Sequence, residues 1–171
     1  LTSFSVGTLT RTYLNNKGEA LKSTVDGTDS TTTVDGSKYK FTIDQLLLQN
    51  AWYYLALKGE LELARLFGKS DDVQTIQTMM KRMEDNFDHR FWTGSSYRSP
   101  DYKGESDDRG NALAVVSGLA SKDKYPALKT LLTTEYHASP YMEKYVLEAL
   151  FCMDATDEAL DRIRKRYKTM V

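Results

Sequence analysis

Between Phe91 and Arg109, one short segment gathers Phe91, Trp92, Tyr97 and Tyr102 with Arg98, Asp101, Glu105, Asp107, Asp108 and Arg109. Flat aromatic faces pack against the C–H surfaces of sugars, and carboxylates with arginine hold hydroxyls through charge-assisted hydrogen bonds. A loop carried on a rigid scaffold is a usual place for such groups. A packing reading stands beside this one: Phe91 and Trp92 fill the turn, while Asp107 and Asp108 favour the positive end of the following helix. Trp92, Tyr97, Asp107, Asp108 and Arg109 are the candidate sugar contacts here. His137 and Tyr141, which bracket Ser139-Pro140, are two more.

Other chemistry is sparse. Two histidines and one cysteine, Cys152, lie far apart in the sequence, so neither a zinc site nor a disulfide framework is expected. His89 reads as structural. No glycine-rich phosphate loop, nucleophile elbow or HExxH pattern is present, and no cofactor is implied. Glu143 is placed to face a cleft or to be paired, and Lys144 and Glu148 are spaced to pair on one helix face. The basic run from Arg162 to Lys168 reads as a solvated helix end whose cations complement the dipole.

These residues must be positioned by helices. From Ile43 onward the apolar spacing is helical and comes in pairs. The first helix, about 43–67, is apolar nearly all round (Leu46, Leu47, Leu48, Ala51, Trp52, Tyr53, Tyr54, Leu55), which predicts burial on every side. Gly68 stands at the position of a C-terminal cap, and Ser70-Asp71-Asp72 opens the second helix, about 71–88. That helix carries a single stripe of Val73, Ile76, Met79, Met80, Met83 and Phe87. A mostly apolar helix at 109–119 is followed by a one-striped helix at 125–135. A third pair follows at 140–153 and 157–170, with Ser139 as cap, Pro140 in the first turn, and a last stripe of Leu160, Ile163, Tyr167 and Met170. Three αα-hairpins, each with an inner and an outer helix, predict a mainly α, two-layered toroid or solenoid. The inner helices end at intervals of about 51 and 34 residues, whereas solenoid repeats keep a fixed period; the irregularity and the 89–108 insertion favour a partial (α/α) toroid.

Residues 1–42 form a separate segment, rich in Thr, Ser and Gly with short β-leaning alternations, and Asn15-Asn16-Lys17-Gly18 marks a hairpin turn. Residues 26–36 read as a polar loop or hairpin tips. The whole chain of 171 residues, 40% apolar and 27% charged, suits one soluble domain, and a net charge of -1 gives no electrostatic footprint for nucleic acid or anionic membrane. It carries no signal-peptide pattern and no apolar run of membrane length. With Leu1 at its start and a helical pattern running to Val171, a piece of a longer protein is expected.

Four stretches share a family likeness: Gln49-Asn50-Ala51-Trp52-Tyr53-Tyr54-Leu55-Ala56-Leu57-Lys58-Gly59, Asp107-Asp108-Arg109-Gly110-Asn111-Ala112-Leu113-Ala114-Val115-Val116-Ser117-Gly118-Leu119, Ser139-Pro140-Tyr141-Met142-Glu143-Lys144-Tyr145-Val146-Leu147-Glu148-Ala149-Leu150, and Arg166-Tyr167-Lys168-Thr169-Met170-Val171. Together, over residues 44–171, they resemble bacterial α-L-rhamnosidase-like glycoside hydrolases. The resemblance implies part of a six-hairpin (α/α) catalytic toroid, a rhamnose-containing glycan as ligand, contacts with the remaining domains of a parent chain, and a secreted or periplasmic location. It also implies inverting hydrolysis by two carboxyl groups roughly 6.5–9.5 Å apart. The family's general acid lies upstream of this region and its general base in a Trp-Glu segment downstream, and neither motif is found here. Lys38-Tyr39-Lys40-Phe41-Thr42-Ile43-Asp44 stands where an aromatic-acidic motif is expected. No catalytic residue is therefore carried over, and the chain alone is expected to be inactive. A helical protein-interaction scaffold and a non-catalytic carbohydrate-binding module are the alternatives.

Overall fold

The computed structural model describes residues 9–14, 20–26, 29–34, 37–41, 43–106 and 108–168, with side chains from residue 43 onward. The hairpin turn expected at Asn15–Gly18, Asp107 and Met170 lie outside the described residues. Four antiparallel strands pair in sequence order: β1 (Leu9–Leu14), β2 (Ala20–Asp26), β3 (Asp29–Val34) and β4 (Ser37–Phe41). Leu14 opposes Ala20, and Val34 opposes Ser37. Much of the Thr-rich stretch read as loop is thus strand, which suits its β-branched side chains.

The rest is helical. Helices α1 (Gln45–Leu66) and α2 (Ser70–Phe91) form the first hairpin, α3 (Asp108–Ser117) and α4 (Tyr125–Thr134) the second, α5 (Pro140–Cys152) and α6 (Thr156–Tyr167) the third. A 3₁₀ turn at Lys122–Lys124 leads into α4. Helix α3 lies between α1 and α5, and each of these inner helices packs on its own outer partner.

Composition explains why α3 takes the centre. Gly110, Asn111, Ala112 and Ala114 are small and buried, so neighbouring backbones come close. A Cβ built on Gly110 would stand 2.8 Å from Leu47 Cδ2, which places the start of α3 against the start of α1. Further along both helices, Lys58 Nζ donates to Ser117 O at 3.2 Å, so the two run parallel. Leu47, Leu57, Leu113, Leu128, Leu132, Val146 and Leu150 form the fully buried centre, each worth about 1.5–3 kcal/mol of transfer free energy.

Local signals fix several helix ends. Gly68 has φ +64°, and Lys69 N–H donates to Ala64 O at 2.9 Å, closing α1 in the left-handed turn that glycine permits. Ser139 Oγ accepts from Met142 N–H at 3.4 Å, and Pro140 occupies the first turn of α5. The start of α2 differs from expectation: Ser70 is already helical, the cap position belongs to Lys69, and no side chain caps it. Asp71 and Asp72 still favour that end through their charge.

Two burial patterns also differ. Helix α1 is not buried all round: Leu47, Ala51, Tyr54, Leu57, Leu61 and Ala64 make one buried stripe, while Leu48, Trp52 and Leu55 are half-exposed and Leu63, Leu66 and Phe67 are exposed. Its apolar residues outnumber the neighbours among the described residues able to cover them. Helix α6 is rotated from the expected stripe, burying Ala159 and Arg162 while Leu160 is exposed.

Candidate functional site

The starts of α1 and α3 meet at Leu47 and Gly110, and those of α3 and α5 meet at Arg162, which bonds both Asp108 and Glu143, so the connections leading into the three helices gather at one end of the helical layer. The first is short. Asp44 caps α1, its Oδ1 accepting from Leu47 N–H at 3.2 Å. The same buried carboxylate accepts from Ser99 N–H at 2.6 Å and Ser99 Oγ at 2.5 Å, binding the long 92–106 connection to the start of α1.

That connection folds as a pinned hairpin. Trp92 and Tyr97 form an isolated antiparallel bridge around Thr93-Gly94-Ser95-Ser96, where Gly94 has φ +102°. Asn111, inside α3, accepts from Tyr97 N–H at 2.7 Å and donates from Nδ2 to Tyr97 O at 3.1 Å. The Tyr97 hydroxyl donates to Asp88 Oδ1 at 2.6 Å. Burial first, and the Asp88 carboxylate second, push that phenol well above the ordinary tyrosine range. The Tyr97 ring packs 5.0 Å from Phe87 and 5.0 Å from Trp92, and the Lys124 ammonium stands 5.4 Å from the Trp92 ring centre. Asp44, Leu47, Tyr97, Arg98, Tyr102 and Asn111 border a shallow depression beneath the connection, about 160 Å³ including its open mouth and too narrow to hold a water molecule.

The third connection, 135–139, is held by α6. Arg162 is 1% exposed yet fully engaged: Nη2 donates to Asp108 Oδ2 at 2.5 Å and to Glu143 Oε2 at 3.1 Å, Nε to Glu143 Oε1 at 2.7 Å, and Nη1 to Glu135 O at 2.6 Å and to Leu132 O. Arg166, one turn on, donates to Tyr136 O at 3.2 Å and Ala138 O at 2.6 Å, and its Nε lies 3.4 Å from Glu143 Oε2. The Tyr136 ring stacks on both guanidinium groups, 4.5 Å from Arg162 and 6.0 Å from Arg166. Burial pulls the Arg162 pKa down, but the Glu143 and Asp108 carboxylates outweigh it and the net shift is upward. One guanidinium thus joins α3, α5, α6 and the C-terminal carbonyls of α4.

This geometry separates the candidate residues. Tyr97, 1% exposed, presents no face to a ligand, and Asp108, 0% exposed, is a buried ion-pair partner. Trp92 and Arg109 are half-exposed. His137 is exposed and lies 3.0 Å from Glu135 Oε2. Tyr141 is 70% exposed at the start of α5. Glu143 lies under Arg162 rather than facing a cleft, and the Arg162–Lys168 run is not one solvated face: Arg162 is buried and Arg166 half-buried, while Arg164 and Lys165 are exposed. Lys144 and Glu148 do face each other, at 3.9 Å.

The residues that organise this end, Asp44, Ser99, Asn111 and Arg162, were not among the candidates. A usable signal existed for Arg162, which continues the buried spacing of Ala155 and Ala159 along α6. Among the described residues, no three His, Cys, Asp or Glu side chains are grouped as a metal ion requires, and no helix is long and apolar enough to cross a membrane. No family model and no curated protein matches the sequence.

Proposed function

We propose that residues 43–171 are a portion of a glycoside hydrolase resembling α-L-rhamnosidases, a segment of an (α/α) toroid that contacts the terminal rhamnose of a glycan. The single observation that supports this reading is the agreement between the sequence resemblance and the helical pairing. Three of the four stretches similar to that family fall on α1, α3 and α5, and these are the helices that pack side by side, each with its own outer partner. In this reading the two carboxyl groups of the hydrolytic step come from elsewhere in a parent chain, whose remaining domains are the other partners, and the protein acts outside the cytoplasm.

A specific observation also favours a second reading, a non-catalytic carbohydrate-binding role. Asp44 and Glu143, buried carboxylates at the convergent end, spend both oxygens on the fold, and the buried Asp108 gives Oδ2 to Arg162. An inverting pair instead needs one protonated carboxylic acid and one ionised base open to water. The test is release of nitrophenol from a chromogenic α-L-rhamnoside by the 171-residue chain. The expected result is no release above buffer; steady turnover would overturn the placement of the catalytic carboxylates outside this chain. A helical interaction scaffold, the remaining alternative, predicts no response to any sugar.

A further inference from the structure

One group of exposed aromatic side chains lies on α1 and α5 rather than on the 92–106 connection. Trp52 of α1 meets Tyr145 of α5 edge to face, 5.0 Å between ring centres, and Tyr141, one turn earlier on α5, lies 6.0 Å from Tyr145. The small residues of α3 let its two neighbours approach closely enough for this contact. Trp52 and Tyr145 are half-exposed and Tyr141 is 70% exposed, so the row presents ring surface to solvent. Lys144 places its ammonium 4.7 Å from the Tyr145 ring centre and faces Glu148 at 3.9 Å.

We propose that Trp52, Tyr145 and Tyr141 form a stacking wall for a neutral pyranose ring, with Lys144 and Glu148 at its edge bonding the sugar hydroxyls. The inference rests on the carbohydrate reading above and adds the residues that do the binding. Charge selects the occupant. The wall carries one cation and one anion, so its field is close to neutral, unlike the basic surface that a nucleic acid or anionic lipid requires. The electron-rich ring faces complement the polarised C–H groups of a sugar, as edge-to-face aromatic pairs complement each other. A donor-only ammonium and an acceptor-only carboxylate together match hydroxyls, which both donate and accept.

Trp52 and Trp92 are the only two indoles in the chain, so fluorescence reports the site directly. The experiment titrates methyl α-L-rhamnoside into the 171-residue chain and into its Trp92→Phe, Trp52→Phe and Tyr141→Ala variants. A saturable emission change that persists in Trp92→Phe, is lost in Trp52→Phe and is shifted to about fivefold higher concentration in Tyr141→Ala is the expected result. Tyr141 is exposed enough for its truncation to leave the fold intact, and circular dichroism checks this. Rhamnoside binding that is unaffected in Tyr141→Ala and reported only by Trp92 would overturn the wall while leaving the carbohydrate reading in place. Absence of binding by the unaltered chain, followed also by calorimetry, would overturn both.

Discussion

Arg162 illustrates how one residue sets the structure. Its guanidinium is buried with Asp108 and Glu143 and also satisfies two carbonyls at the end of α4. Removing one partner from such a network leaves the others buried and unpaired, which typically costs about 3–5 kcal/mol. Arg162→Met is therefore expected to lower the urea-unfolding free energy by that amount. The exposed Arg164→Met, whose partner Asp161 is also exposed, should change it by less than about 0.5 kcal/mol. Equal effects of the two substitutions would contradict the assignment. Two buried phenols give a pH prediction. Tyr54, donating to Glu84 Oε1 at 2.5 Å, and Tyr97, donating to Asp88, are both raised above the ordinary tyrosine value, chiefly by burial and then by the carboxylate. A proton held more tightly in the folded state stabilises it fully below the unfolded tyrosine pKa of about 10, and that contribution is lost as pH rises beyond it. Unfolding free energy should thus fall above about pH 10, less steeply in Tyr54→Phe and Tyr97→Phe, as measured by denaturant titration at several pH values.

Among the elements, α3 depends most on its small residues. Gly110→Ala gains about 1 kcal/mol of helix propensity, but its Cβ meets the side chain of Leu47, itself 1% exposed and unable to swing out. Overpacking of this kind costs about 1–3 kcal/mol, so a net loss of about 1 kcal/mol is expected, visible as a lower thermal midpoint. A gain in stability would show that α1 and α3 are further apart. The same scale explains what was legible in the sequence. The boundaries of all six helices were readable within a few residues because apolar spacing, Gly68, and Ser139-Pro140 are local signals. The faces were less readable. Helix α1 is rich in apolar residues throughout, and which of them become buried depends on α2 and α3. Helix α6 reads as a stripe through Leu160 and Ile163, yet it is rotated because Arg162 finds Asp108 and Glu143, far away in the sequence. Tyr97 and Asp108 have residue types that suit sugar binding, but Asn111, Asp88 and Arg162 engage them in the fold. Long-range partners of this kind leave no periodic mark.

At the scale of the molecule, three hairpins place α1, α3 and α5 in one layer, and the connections into those helices meet at one end. The pinning of 92–106 by Asp44 and Asn111, and of 135–139 by Arg162 and Arg166, makes that end rigid rather than loose. A rigid end next to an exposed aromatic row suits recognition of a small, stiff ligand, since little ordering has to accompany binding. Rhamnose binding by this chain is the reading proposed above. Its most direct test is isothermal titration calorimetry of L-rhamnose into the 171-residue chain, with sodium chloride in the same buffer as a control for charge effects. Saturable heat with one site per chain, unchanged by added salt, is the expected result. No heat with L-rhamnose, at sugar concentrations well into the millimolar range, would contradict it.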